Sequence, residues 1–352
     1  MIRRMLLFFL VAALLVCNAQ PGFALSLSPL TSFGGDGWLA PGELGFNAQT
    51  NATVRGITYN AASNHVYAVD RDGGLTIRVL DGDTGSQVGT LDATGITGGT
   101  FALNMIDVDD EGVIYAGNLS TSATSNFKIY RWENETSVPT VAFDGAANRT
   151  RTGDTFAVSG AGSSTVIVSA GGAGVEDYAL FRTADGSNFA VENPVVTGDA
   201  PGAFRLGIDI DAGVVVGTQT GAALTAVAQA GGAADVHALN AASESIITWD
   251  ANEGLLATVD FNSSDVRLYD ASDLGLLTSS GFQDVANLTT SLVSNGNGVG
   301  DAKFGRGPAG ALRLYALNAN NGIQAFNVVP EPVTAGLGFA LGTGLVTRRR
   351  RR

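Results

Sequence analysis

Carboxylates spaced two residues apart recur along the chain: Asp70 and Asp72, Asp81 and Asp83, Asp107 with Asp109 and Glu111, and Asp209 with Asp211. Residues 107–112 have the form Asp-x-Asp-x-acid-Gly. That form supplies three oxygens and a turn glycine to a calcium ion, which wants six to eight ligands. Asp107, Asp109 and Glu111 are therefore the candidate metal ligands, and calcium is the candidate cofactor. The bidentate Glu that would close an EF-hand-like loop is replaced by Asn118. Asp and Gly are also what hairpin turns favour, through local hydrogen bonds and positive φ. Other chemistry is thinner. A glycosidase needs two carboxylates at a set separation, and nothing in the sequence selects a pair. His65 opens an apolar run and His237 lies within one, neither beside a nucleophile motif, so a Ser-His-Asp set has no anchor. Phosphate-loop, zinc and haem spacings are absent, and no catalytic residue is assigned. Trp38, Trp132 and Trp249 either pack between sheets or stack on sugar rings.

The elements that carry these residues are short apolar runs separated by Gly, Asn and Asp turns, with almost no helical periodicity. They fall into groups of four: 55–59, 65–69, 75–80 and 87–91; 104–108, 113–118, 127–132 and 140–143; 155–159, 165–169, 178–182 and 189–192; 205–210, 214–218, 224–228 and 235–239; and 245–249, 255–260, 266–269 and 275–278. A sixth group has three runs, 300–304, 312–317 and 322–327, and the lead-in holds a spare one at 27–33. Group starts recur every 40 to 55 residues. Four-stranded units at that period are the signature of a β-propeller, in which radial packing covers both faces of each small sheet. The expected fold is all-β: a propeller of six blades, with seven as the next choice and a β-sandwich or β-helix as rivals. Pairing the spare lead-in strand with the sixth group would close the ring. Asn104, Asp107, Asp209 and Asp211 then lie on or beside inner strands, where some six-bladed propellers that hydrolyse lactones or esters hold calcium.

Both ends of the chain read as signals. Met1 to Arg4 is basic, residues 5–16 are apolar, and small residues follow at Ala19, Gly22 and Ala24. This is the pattern of a secretory signal helix, cut by signal peptidase after Ala19 or Ala24. Either cut removes Cys17, the one cysteine, so the exported chain has no disulfide. At the other end stand Pro330, Glu331 and Pro332, then residues 333–346 without a charge, then Arg348, Arg349, Arg350, Arg351 and Arg352. The prolines stop a strand. As a helix, residues 333–346 would be about 21 Å long, short of a hydrocarbon core of about 30 Å, which suits a transient anchor. The arginine cluster stays cytoplasmic, leaving the body outside. This tail resembles the PEP-CTERM sorting signal of exported bacterial proteins. The resemblance implies that an exosortase, a membrane protease-transpeptidase, is the partner and cuts near Pro330-Glu331-Pro332. The expected organisation is a signal peptide at 1–24, a propeller at 25–328 and a sorting signal at 329–352.

Composition bounds the function. The chain carries 20 basic and 33 acidic residues; without Arg3, Arg4 and Arg348 to Arg352, 13 basic residues remain and the formal charge is −20. Such a surface repels phosphate backbones, which argues against nucleic acid as a partner. Only two histidines are present, and the lysines are Lys128 and Lys303. The sequence thus predicts a non-enzymatic protein of the cell envelope, outer surface or extracellular matrix. Its propeller would act as a structural or binding module for polysaccharide or protein. The competing expectation is an extracellular hydrolase of lactonase, esterase or glycosidase type, using carboxylates on the propeller axis.

Overall fold

The first strands of six successive sheets, Val54–Asn60, Phe101–Val108, Thr152–Ser159, Gly207–Asp211, Glu244–Asp250 and Gly300–Arg306, pack side by side and close into a ring. The computed structural model describes residues 24–43, 51–172, 177–274 and 281–331. Outward from the ring, blade 1 adds His65–Asp70, Thr76–Asp81 and Gln87–Thr90, and blade 2 adds Ile114–Leu119, Asn126–Trp132 and Thr140–Ala146. Blade 3 adds Val166–Gly171, Ala179–Thr183 and Phe189–Glu192, and blade 4 adds Val214–Thr218, Leu224–Ala228 and Asp235–His237. Blade 5 adds Leu255–Asp260, Val266–Asp270 and Phe282–Ala286. Blade 6 adds Leu312–Asn318 and Gly322–Pro330, and is completed by Leu25–Pro29 from the start of the body. The protein is an all-β, six-bladed β-propeller, and closure of the inner ring sets aside the sandwich, the β-helix and the seventh blade.

The burial of each strand explains its sequence. Second strands are covered on both faces by neighbouring blades and read as near-continuous apolar runs, such as Val66–Val69 and Leu314–Leu317. Six clusters of buried residues fill the six gaps between blades. One joins Tyr67, Val69 and Ile77 to Ile114, Tyr130 and Trp132; another joins Tyr315, Leu317 and Ile323 to Val54, Ile57 and Val66. Outer strands are only partly covered and carry a weak signal. The expected run at 275–278 lies outside the described residues, and the outer strand of blade 5 is instead Phe282–Ala286.

The lead-in does more than supply a strand. The strand expected at 27–33 ends at Pro29, and the chain then turns over the last strand of blade 6. Leu30 N–H donates to the Ala325 carbonyl at 2.9 Å, and Trp38 and Leu39 pair with Gln324 and Ile323. Phe33 is fully buried 5.7 Å from the Tyr315 ring, and Gly34 N–H reaches the Thr84 carbonyl of blade 1. Gly34 has φ +62°, and a Cβ there would lie 2.2 Å from the Trp38 carbonyl oxygen, so only glycine fits the turn. The lead-in thus locks blade 6 and touches blade 1 at the seam. The last strand stops at Pro330. The signal helix expected at 1–24, Pro332, the apolar helix at 333–346 and Arg348 to Arg352 lie outside the described residues, apart from Ala24.

Candidate functional site

On the propeller axis, three inner strands each place an aspartate inward. Asp107, Asp209 and Asp301 belong to blades 2, 4 and 6, and each bridges two inner strands in the same way. One carboxylate oxygen accepts the N–H of its own next residue: Val108 at 2.8 Å, Ile210 at 2.8 Å and Ala302 at 3.0 Å. The other accepts an N–H from the following blade: Val158 at 2.9 Å, Trp249 at 2.8 Å and Ile57 at 3.1 Å. Threonine hydroxyls add to this, Thr58 donating to Asp107 at 2.7 Å and Thr248 to Asp209 at 2.9 Å. The blades are therefore stitched in pairs at their centre.

Lys303 lies two residues after Asp301 on the same face of the strand. Its ammonium is 2.7 Å from Asp107 Oδ2 and 3.7 Å from Asp209 Oδ1. Burial works to lower its pKa, but the charges of Asp107 and then Asp209 outweigh that and raise it, so the amine stays protonated. The carboxyl of Asp301 is pushed well above the usual carboxylate range, first by burial and then by the charge of Asp107. Burial likewise raises Asp209, with Lys303 opposing. Where these four side chains meet no room for a water is left, and the space beside Thr155, Ile208 and Asp301 is about 10 Å³, at the lower limit for one water. The axis is plugged.

The plug leaves a cup at each end. At the ends of the inner strands is a cup of about 310 Å³ lined by Tyr59, Asp109, Asp110, Asp211, Trp249 and Lys303, among others. Burial and then the nearby Asp211 charge raise the pKa of Asp110. At the starts of the inner strands is a cup of about 250 Å³ whose walls include Arg55, Arg71, Phe101, Arg151, Asp154 and Arg205.

The structure does not bring the three candidate calcium ligands together. Asp107 faces the axis, Asp109 caps its own turn by accepting the N–H groups of Glu111 at 3.0 Å and Val113 at 2.9 Å, and Glu111 is exposed. Among the described residues no three His, Cys, Asp or Glu side chains group as ligands, so no step is routed through calcium. The other paired acids also hold turns. Asp70 accepts from Asp72 N–H and pairs with Arg78, while Asp81 accepts the N–H groups of Asp83 and Thr84. Asp211 accepts Ala251 N–H of blade 5 at 2.8 Å.

His65 pairs through Nδ1 with Glu135 at 2.7 Å, away from the axis, and His237 is buried in the outer strand of blade 4. Trp38 and Trp132 are buried with their N–H groups on the carbonyls of Asn321 and Asp92, as packing requires. Trp249 is also buried but lines the acidic cup. Sequence reasoning placed Asn104, Asp107, Asp209 and Asp211 on or beside inner strands, and all four lie on them. It missed Asp301, Lys303 and the four arginines. The available signal was a lysine two residues from an aspartate within an apolar inner strand.

The profile of a family described as "Domain of unknown function (DUF4623)" matches residues 45–193. The chain is similar to a crystal structure of a DUF4623 family protein from Bacteroides eggerthii DSM 20697, with 20% identity and a TM-score of 0.62, over 81% of this chain and 72% of that one. It is also similar to XC5397 from Xanthomonas campestris, described as a gluconolactonase, with 13% identity and a TM-score of 0.50, over 85% of this chain and 92% of that one. At these identities the likeness is one of fold. No curated protein matches the sequence.

Proposed function

We propose that the chain is an exported, non-enzymatic binding or structural module of the cell envelope or extracellular matrix. In this reading signal peptidase removes the N-terminal segment. The apolar stretch at 333–346 then anchors the C-terminus transiently in the inner membrane, and an exosortase-type protease acts near Pro330, Glu331 and Pro332 while Arg348 to Arg352 remain cytoplasmic. The propeller would then present its cups to an extracellular polysaccharide or protein.

One observation carries the non-enzymatic part: the axial groups are already committed. Each of Asp107, Asp209 and Asp301 spends its oxygens on two inner-strand N–H groups. Lys303 is held as a cation and so serves as neither base nor nucleophile. A general base must lie within hydrogen-bond reach of a substrate proton, and the closed stretch of the axis between the two cups leaves no room for a substrate there. The competing reading, a carboxylate hydrolase, makes the opposite demand on Asp209. Full-length protein, with and without added calcium, is offered a panel of lactones and chromogenic esters and glycosides. The expected result is no turnover above buffer. Turnover that disappears in Asp209→Asn, a variant whose folding is checked by circular dichroism, would overturn the proposal.

A further inference from the structure

The cup at the starts of the inner strands is basic, in a chain whose net charge is −13. We propose that this cup is a binding site for a small oxyanion ligand, a sugar acid or a phosphate, gripped by Arg55, Arg71, Arg151 and Arg205. The inference goes beyond the reading above and does not depend on export.

Four guanidinium groups share this cup with one carboxylate, Asp154, which leaves a formal charge of +3. Asp154 is fully used: Arg151 pairs with it through two nitrogens, and Arg55 Nη2 lies 3.4 Å from Oδ1. Arg71 finds only neutral acceptors, Asn104 Oδ1 at 2.9 Å and the Ala52 carbonyl at 3.1 Å. The Arg205 backbone N–H donates to the Gly202 carbonyl, but its guanidinium has no hydrogen-bond or ion-pair partner among the described residues. Arg55 is 6% exposed, yet its Nε has no acceptor, and neither does the buried Nε of Arg71. Buried donors without partners are rare and costly, and here two of them border one cavity.

The site is also stressed and pre-shaped. Burial lowers the pKa of Arg71 to about 10, with the neighbouring Arg55 charge adding to the effect, and Arg55 is lowered by burial and by Arg151. A bound anion would relieve that repulsion. Arg71 is fixed in place by stacking 3.8 Å over the Phe101 ring, so little side-chain freedom remains to be lost on binding. Guanidinium forks match carboxylate and phosphate oxygens in bidentate geometry, which ammonium groups do not. The volume of about 250 Å³ is a little below the roughly 300 Å³ at which ligand pockets usually begin. It suits one acidic sugar unit or a phosphate. The plugged axis stops a chain from threading further, and the net negative charge of the whole chain opposes a long polyanion.

Full-length protein is titrated by calorimetry with inorganic phosphate, with glucuronate, and with glucose as the neutral control. The expected result is saturable binding of phosphate, glucuronate or both but not of glucose, weakening as salt is raised. Arg205→Ala, which breaks no internal bond, should weaken binding by about tenfold or more, as loss of one charge-assisted contact does. Phosphate alone would identify a phosphate ligand and glucuronate alone a sugar acid. The proposal is overturned if neither anion binds at millimolar concentration, if glucose binds as well as glucuronate, or if Arg205→Ala binds with unchanged affinity.

Discussion

Asp301 shows how a single buried carboxyl can serve the fold. Its two oxygens accept the N–H groups of Ile57 and Ala302, and burial beside Asp107 holds its pKa well above the ordinary range. A carboxyl that holds its proton more tightly in the folded state than in the unfolded chain adds stability below about pH 4, its unfolded value. That stability is lost as pH rises towards the folded value. Unfolding by urea should therefore become easier as pH rises above about 5, with this residue contributing up to about 1.4 kcal/mol per pH unit, the linkage for one proton. Asp301→Asn, which cannot ionise, should show a shallower dependence over that range. An unchanged slope would mean that Asp301 is ionised in the folded protein. The remaining carboxyls whose pKa is raised by burial, Asp209, Asp109, Asp110 and Asp177, would contribute what dependence is left.

At the scale of elements, closure of the ring rests on the lead-in. Phe33 fills the seam between blades 6 and 1, fully buried among Leu30, Tyr59 and Tyr315. Truncating a buried phenylalanine costs about 3–5 kcal/mol, so Phe33→Ala should lower the urea midpoint sharply with little change in the transition slope. A loss under about 1 kcal/mol, the cost of an ordinary substitution, would show that the seam is not held there. Strands were legible in the sequence to the degree that they are buried. Those covered on both faces, such as His65–Asp70 and Leu255–Asp260, match the apolar runs closely. Outer strands are half solvated, and blade 5 shows the consequence: Phe282–Ala286 mixes apolar and polar residues, has none fully buried, and was not seen. Turn chemistry was equally legible, since most of the paired acids hold turns. The axial cluster was not, because Asp107, Asp209 and Asp301 come together only once six strands meet. The spacing within 107–112 points instead to a local calcium loop that the structure does not form. The basic cup was hidden for the same reason: Arg55, Arg71, Arg151 and Arg205 are separated by up to 150 positions and converge only at the mouth of the ring.

For the whole molecule, the six-bladed body is a platform with a sealed axis and two cups of opposite charge. In the proposed reading these cups serve binding, and the chain's two ends direct where it takes place. The stitched axis stabilises the body without a disulfide. The most direct test of delivery is the intact mass of the mature protein recovered from a host that possesses an exosortase. The account predicts a chain that has lost residues up to Ala19 or Ala24 and everything beyond the neighbourhood of Pro330-Glu331-Pro332. A mature chain that still carries Arg348 to Arg352 would contradict it.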